Sequence, residues 1–392
     1  MGIAVLRMLA SAGYSPRDSV PLGEASESYG LAYMKFLVCR WRRVLLIAVI
    51  AVSAMIAYDL AVLSSTAAKV LNHGRAFDLW RGPVSRSTTN IGSISADVYV
   101  GSRSRRPLLF VHGVNESGKD SADLKLVAEA LAGSGFRVVV PDFTRMRRQN
   151  VTPADIDDVE LVARSLGVDI GIVCASYGCG PSLIAAARPE LQNRIKFIVT
   201  FGAYFDLKET LALIITGPHS KWSYSKWLYL SANADLIADD HDRRELLKIG
   251  SERQNAPNEL WITHRGGMGP EALALLDVFE SKTVAEFDRR IERVPALRDR
   301  FEKLSPSNYV PGLRARLIIM HLLSDPAIPS SQSLRLAAAA RANNLSYRLT
   351  MLNAYGHTRP DWPPGGVRNF FGFYLPESWK FLRTLHEVLS HS

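Results

Sequence analysis

The chain has 392 residues, 47% of them hydrophobic and 22% charged, so it is long enough to bury a core and too apolar for a disordered polymer. Its net charge of +9 is scattered through clusters such as "RWRR", "RMRR" and "DRRIER" that mostly lie near acids. That pattern argues against nucleic acid, which would require a basic stripe with interleaved aromatics, and leaves room for weak attraction to an anionic membrane surface. Three cysteines make no disulfide framework, and no CxxC or HExxH spacing occurs, so neither a metal nor another cofactor is expected.

Residues 1–43 read as a cytoplasmic tail, polar and poorly ordered over 1–33. The next segment, "VLLIAVIAVSAMIAYDLAVL", is the most apolar part of the chain. Val44 to Leu63 gives twenty residues, enough to span a hydrocarbon core as helix. Lys35, Arg40, Arg42 and Arg43 precede it and Lys69 follows, a bias that puts the start in the cytoplasm and the body outside. The segment is read as a single-pass transmembrane anchor, or signal anchor, at 44–63. A signal peptide cleaved near "SSTAA", giving a secreted protein, and a buried core helix are the alternatives.

A connector is expected over 64–95. From residue 96 short apolar runs alternate with helical patterns. "ISADVYV", "PLLFVHG", "FRVVVPDF", "DIGIVCAS" and "IKFIVTFG" read as strands, and "ARLIIMHLLSD" and "SYRLTMLN" follow late in the chain. "SADLKLVAEALAGSG", "TPADIDDVELVARSLG", "GPSLIAAARPELQN" and "SQSLRLAAAARANN" read as helices. The alternation predicts an α/β fold, a mostly parallel sheet wrapped on both faces, with chemistry at the carboxyl ends of the strands. Residues 204–312 break the rhythm with helical patterns and tryptophans, too many residues for a loop. They are read as a helical cap dividing the core into 96–203 and 313–392, with a partner- or membrane-contacting appendage as the alternative. Trp222, Trp227 and Trp261 lie in it as pocket-lining or packing residues.

Ser176 ends the apolar run "GIVCAS" and is followed at once by "YGCGPSLIAAA". The tripeptide Ser-x-Gly alone says nothing, since Ser11 and Ser28 also carry it. The flanks carry the signal: a strand-turn-helix with small Ala175, Gly178 and Gly180 is the context a nucleophile elbow needs. The bland alternative is a serine capping a helix. "PLLFVHG" ends in His112-Gly113, after which the Val114 N–H can join the Tyr177 N–H in an oxyanion hole. "NAYGHT" offers His357 as base, and "LIIMHLLSDPAIP" offers Asp325 as its orienting acid. The interval from Asp325 to His357 holds one helix and one strand, the span of a βαβ step.

From about Ala96 to the end, the helical insertion apart, the chain resembles the α/β-hydrolase superfamily. "HG" after an early strand, the serine elbow, "SDPAIP" after a late strand and a terminal "GH" occur in its order. More narrowly it resembles bacterial membrane-tethered hydrolases of undefined substrate. The resemblance implies hydrolysis of a carboxylic ester, thioester or related acyl bond, as in carboxylesterases and lipases, by a Ser176–His357–Asp325 triad. Two departures stand out: Cys174 replaces the elbow's leading glycine, and "HLLSD" replaces "HGxxD" before the acid.

Rivals exist at each position. Asp206 in "YFDL" is the alternative acid. Asp142 reads as structural, and His112 and His321 as loop-positioning or core residues. His219 and His264 lie in the cap within possible reach of substrate. Cys174 and Cys179 are expected to be buried small hydrophobes, because a disulfide between them would strain the turn. Lys119 and Asp120 lack the spaced glycines of a phosphate loop. The expected partners are a small-molecule or lipid-like acyl substrate and, through the anchor, a lipid bilayer. An acyltransferase and a non-catalytic binding protein on the same fold remain the competing functions.

Overall fold

A computed structural model describes residues 83–217, 219–255, 265–325, 327–353, 355–356, 359–360, 363 and 366–391, with Ala61 and Thr66. The chain divides into two units, Met1–Ala61 and Val62–Ser392. Of the first unit only Ala61 is described, in a helix, so the expected anchor at 44–63 otherwise lies outside the described residues. Among the described residues no helix is long and apolar enough to cross a membrane.

The second unit is built on an eight-stranded sheet in the order β1-β2-β4-β3-β5-β6-β7-β8. The strands are β1 Val84–Ile91, β2 Ile94–Gly101, β3 Arg106–Val111, β4 Phe136–Pro141, β5 Ile170–Ala175, β6 Ile195–Phe201, β7 Arg316–Leu322 and β8 Tyr347–Leu352. β2 runs antiparallel to both β1 and β4, and the remaining pairs are parallel. β1 corrects the expected connector: residues 84–91 form the edge strand, with six consecutive exposed positions. An exposed edge strand carries no buried stripe of its own, so no hydrophobic period announced it.

The central strands are apolar runs because both faces of the sheet are covered. In β3, Leu109 and Val111 join one core cluster while Leu108 and Phe110 join the other, following the two-residue alternation of a strand. The helices α1 Ala122–Gly133, α2 Ala154–Ser165 and α3 Cys179–Ala186 link the first half of the sheet. Between β6 and β7 the described residues of the expected cap form turns and six α-helices: α4 Leu207–Thr216, α5 His219–Ala232, α6 Asp240–Asn255, α7 Pro270–Phe279, α8 Val284–Ile291 and α9 Pro295–Lys303. Then come α10 Ser331–Ala342, between β7 and β8, and α11 Leu375–Leu389. Trp227 is buried packing, with the Arg253 guanidinium 4.1 Å and the Lys226 ammonium 4.8 Å from its ring centre. Trp261 and the side chain of Trp222 lie outside the described residues.

The register aligns the carboxyl ends of the middle strands. Val111 pairs with Cys174, Ala175 with Phe201, Phe201 with Met320, and Leu322 with Leu352. The loops carrying Gly113, Ser176, Asp206 and Asp325 therefore emerge along one edge. With β6 between them, β5 and β7 lie about 10 Å apart.

Candidate active site

The chain reverses sharply at Ser176. β5 ends at Ala175 in extended geometry, Ser176 adopts φ 52°, and a helical turn begins with the same residue. A positive φ is strained for a non-glycine residue, and such strain persists only where the surroundings enforce it. The surroundings here are small residues in close contact. A Cβ on Gly178 would fall 2.2 Å from the His112 carbonyl oxygen, and one on Gly180 would fall 1.8 Å from the Tyr204 hydroxyl. A Cβ on Gly113 would lie 3.0 Å from the Ser176 Cβ and 3.6 Å from its Oγ. The loop after β3 is thus pressed against the serine, with half-buried Val114 next in the chain.

Cys174 and Cys179 are joined by a disulfide, contrary to the expectation of two free thiols. The physical reason is the bend itself: it brings their Cα atoms to 4.9 Å, within the window a disulfide spans. Both cysteines are fully buried, and the bridge encloses Ser176. The signal was the pair of cysteines straddling a reversing turn.

Tyr177 contributes a side chain that the sequence reading left out. Its hydroxyl donates to Asp155 Oδ2 at 2.9 Å, and its ring stacks on Tyr204 with centroids 6.0 Å apart. Asp155 also accepts from Arg145 Nε at 3.0 Å and from the Thr152 N–H at 3.0 Å. Burial pushes the Asp155 carboxyl above its ordinary range against those donors, and burial followed by the Asp155 charge raises the Tyr177 phenol. This buried network anchors the turn at Ser176 to α2.

His112 positions the neighbouring loop. Its Nε2 accepts from the Phe143 N–H at 3.1 Å, which leaves the proton on Nδ1 to donate to the Gly113 carbonyl at 2.7 Å. Burial holds the ring below its ordinary range, only partly opposed by the bond to Gly113.

Asp325 is buried three residues beyond β7. Its Oδ1 accepts from the Ala327 N–H at 2.7 Å and the Ile328 N–H at 3.0 Å. Its Oδ2 lies 3.6 Å from His321 Nε2 and would meet a Cβ on Gly202 at 3.3 Å. Gly202 itself has φ 61°, so the end of β6 bends out of the carboxylate's way. His321 is a core residue: its Nε2 donates to the Ile328 carbonyl at 3.1 Å, and Nδ1 accepts from Ser333 at 2.7 Å.

Asp206 is the N-cap of α4, accepting from the Glu209 N–H at 2.8 Å. Gln332 accepts at Oε1 from the N–H groups of Phe205 and Asp206 at 3.0 and 2.9 Å. His357 lies outside the described residues, flanked by the short strands Tyr355–Gly356 and Arg359–Pro360, which pair antiparallel. His264 and the side chain of His219 also lie outside them. Lys119 belongs to a structural ion pair with buried Asp97 at 3.2 Å, and Asp142 pairs with Arg147 at 3.3 Å. A cavity of about 520 Å³ opens beside the Gly113 loop, lined mainly by Asn115, Glu116, Gln149, Tyr224, Ser251 and Gln254.

Residues 108–366 match the model of the alpha/beta hydrolase family. The chain belongs to that family. The sheet order, the reversing serine and the helical insertion after β6 are then features of an α/β hydrolase. Solved structures similar to this α/β hydrolase include an acylaminoacyl peptidase from Pyrococcus horikoshii, at 13% identity and a TM-score of 0.44, over 80% of this chain and 41% of the peptidase. The chain thus spans about two fifths of that protein's length. A serine hydrolase from Cycloclasticus zankles is similar at 15% identity and a TM-score of 0.40, over 77% of this chain and 97% of the other. A proline iminopeptidase-related protein from Thermus thermophilus is similar at 17% identity and a TM-score of 0.39, over 79% and 98%. No curated protein sequence matches.

Proposed function

We propose that this α/β hydrolase is a serine hydrolase that cleaves a carboxylic ester or related acyl bond through an acyl-enzyme. The observation that carries the reading is Ser176 held at φ 52° between β5 and the helical turn, with Gly113 packed against its Cβ. In this mechanism His357 takes the hydroxyl proton as Ser176 Oγ attacks the acyl carbon. The N–H groups of Val114 and Tyr177 stabilise the oxyanion, and the proton passes to the departing alcohol. Water, deprotonated by His357, then attacks the acyl-serine and releases the acid. Asp325 holds the imidazole in this scheme. Its supports are a place on the same sheet edge as Ser176 and two backbone donors that fix the carboxylate just beyond β7.

The polar lining of the cavity beside Gly113 supports a hydrogen-bonding group on the substrate next to its acyl bond. An extracytoplasmic location on a retained anchor is part of the proposal, and the Cys174–Cys179 disulfide favours an oxidising compartment. The test is a labelled fluorophosphonate. Wild type is expected to be modified and Ser176→Ala spared, with kcat on an activated ester falling about a millionfold in the variant. Equal labelling of both proteins refutes the assignment of Ser176.

A further inference from the structure

The helical stretch at the end of the chain is treated differently in its two halves. It runs without a break from Val367–Asn369 through a π-helical turn at Phe370–Tyr374 into α11. The second half buries Leu385 and Val388, and Phe381 and Leu389 pack on the core cluster that contains Leu352 of β8. The first half leaves its apolar side chains in solvent: Val367 is 78% exposed, Phe370 52%, Phe371 63%, Leu375 52% and Trp379 61%. Positions 367, 371, 375 and 379 recur every four residues and share one side of the helix, with Phe370 against Phe371 at 5.1 Å between ring centres. At roughly 100 Å² for each half-exposed large side chain the patch is on the order of 500 Å², the size at which exposed apolar surface on a monomer is commonly functional.

We propose that this face is a membrane-docking surface that lies in the headgroup region of an anionic bilayer. Tryptophan, phenylalanine and leucine on one side with arginine beside them is the composition of interfacial helices. The permanent charges exposed along Val367–Leu389 are Arg368 and Arg383. The acid in the middle of the patch, Glu377, is buried, accepting from the Asn353 N–H at 2.8 Å and from Lys380 at 2.6 Å. The exposed charge of this helix is thus positive, complementary to anionic headgroups, in a chain of net charge +9. A second copy of the chain is a poorer occupant, because a stable dimer buries about 800 Å² per partner, more than the patch supplies. The Glu377–Asn353 contact ties the docked helix to the end of β8, from which the chain continues to position 357. Docking would therefore set the candidate active-site loop at the bilayer surface; that consequence rests on the proposed function, whereas docking itself does not.

The test uses the full chain in nanodiscs of phosphatidylcholine and phosphatidylglycerol. In a Cys39→Ser background, Phe371→Cys and, separately, Trp379→Cys carry an environment-sensitive fluorophore. Glu190→Cys, exposed at the opposite edge of the sheet, is the control. Spin-labelled lipid is expected to quench the two patch positions at least twofold more than position 190, and more strongly as the phosphatidylglycerol fraction rises. The same result is expected with Ser176→Ala, so a failure of the catalytic reading would leave it standing. Equal quenching at all three positions overturns the proposal. So does a lipid-independent, concentration-dependent shift accompanied by dimerisation in sedimentation, which would make a second copy the occupant.

Discussion

Ser176 and Asp325 stand on one edge of the sheet with a single strand between their own, and different forces hold them. At the elbow the backbone does the holding: a strained φ, glycines that admit the His112 carbonyl and the Tyr204 ring, and a covalent bridge from Cys174 to Cys179. The serine side chain takes no part in this, so it can be replaced without loosening the turn. After β7 the reverse holds. Asp325 fixes its own loop by accepting from Ala327 and Ile328, so a substitution there acts on structure and on charge together unless the hydrogen bonds are kept.

Asp325→Asn separates the two contributions. The amide oxygen can still accept both backbone donors, so the melting temperature should stay within a few degrees of wild type. Loss of the charge should lower kcat about ten-thousandfold, as for an acid that fixes the tautomer of a catalytic histidine. Asp206→Ala is the counterpart. It removes the N-cap of α4, at a cost of about 1 kcal/mol of stability, and should leave kcat within about twofold. Steady-state kinetics and denaturant titration on both variants decide the matter. The opposite pattern would make Asp206 the acid and place the catalytic carboxylate after β6.

What the sequence made legible follows the same division. The elbow was readable because its signals are local: an apolar run, a serine, and small residues within four positions. The sheet was readable because strands buried on both faces appear as uninterrupted apolar runs. Val84–Ile91 escaped because an exposed edge strand has no such run. The disulfide was misjudged although its signal was local: the two cysteines straddle the reversing turn, which brings their Cα atoms to 4.9 Å. The partnership of Tyr177 with Asp155 joins residues 22 apart, one in the turn and one on α2, a distance no local pattern encodes. The exposure of Val367, Phe371, Leu375 and Trp379 shows only in the fold, because apolar side chains four apart read the same in sequence whether covered or not.

The covalent part of the elbow can be removed by itself. Cys174→Ala with Cys179→Ala should lower stability by about 2 kcal/mol, the chain-entropy value for so short a loop. If the bridge holds the reversal at Ser176, the fluorophosphonate labelling rate should fall too, with the kcat of the labelled population falling more than KM rises. Unchanged labelling at reduced stability would mean that the glycine contacts suffice to hold the turn. The contrast with the Asp325 loop would then rest on steric exclusion alone.

The smallest expected effect lies under the elbow, at His112. Burial keeps its ring neutral in the folded protein, with Nε2 accepting from Phe143 and Nδ1 donating to Gly113. The folded value lies below the ordinary 6.5, so between the two the unfolded chain binds more protons than the folded one. The contribution to stability is therefore complete above pH 6.5 and is lost as the pH falls toward the depressed folded value. His112→Gln keeps an acceptor within reach of the Phe143 N–H and cannot titrate. Its denaturation midpoint should accordingly fall less than that of wild type between pH 7.5 and 5.5. Parallel slopes in the two proteins would mean that protonation of His112 does not couple to unfolding. The Gly113 loop would then be held against Ser176 by packing, as the rest of the elbow is, and not by a hydrogen-bonded side chain as Asp325 holds its own.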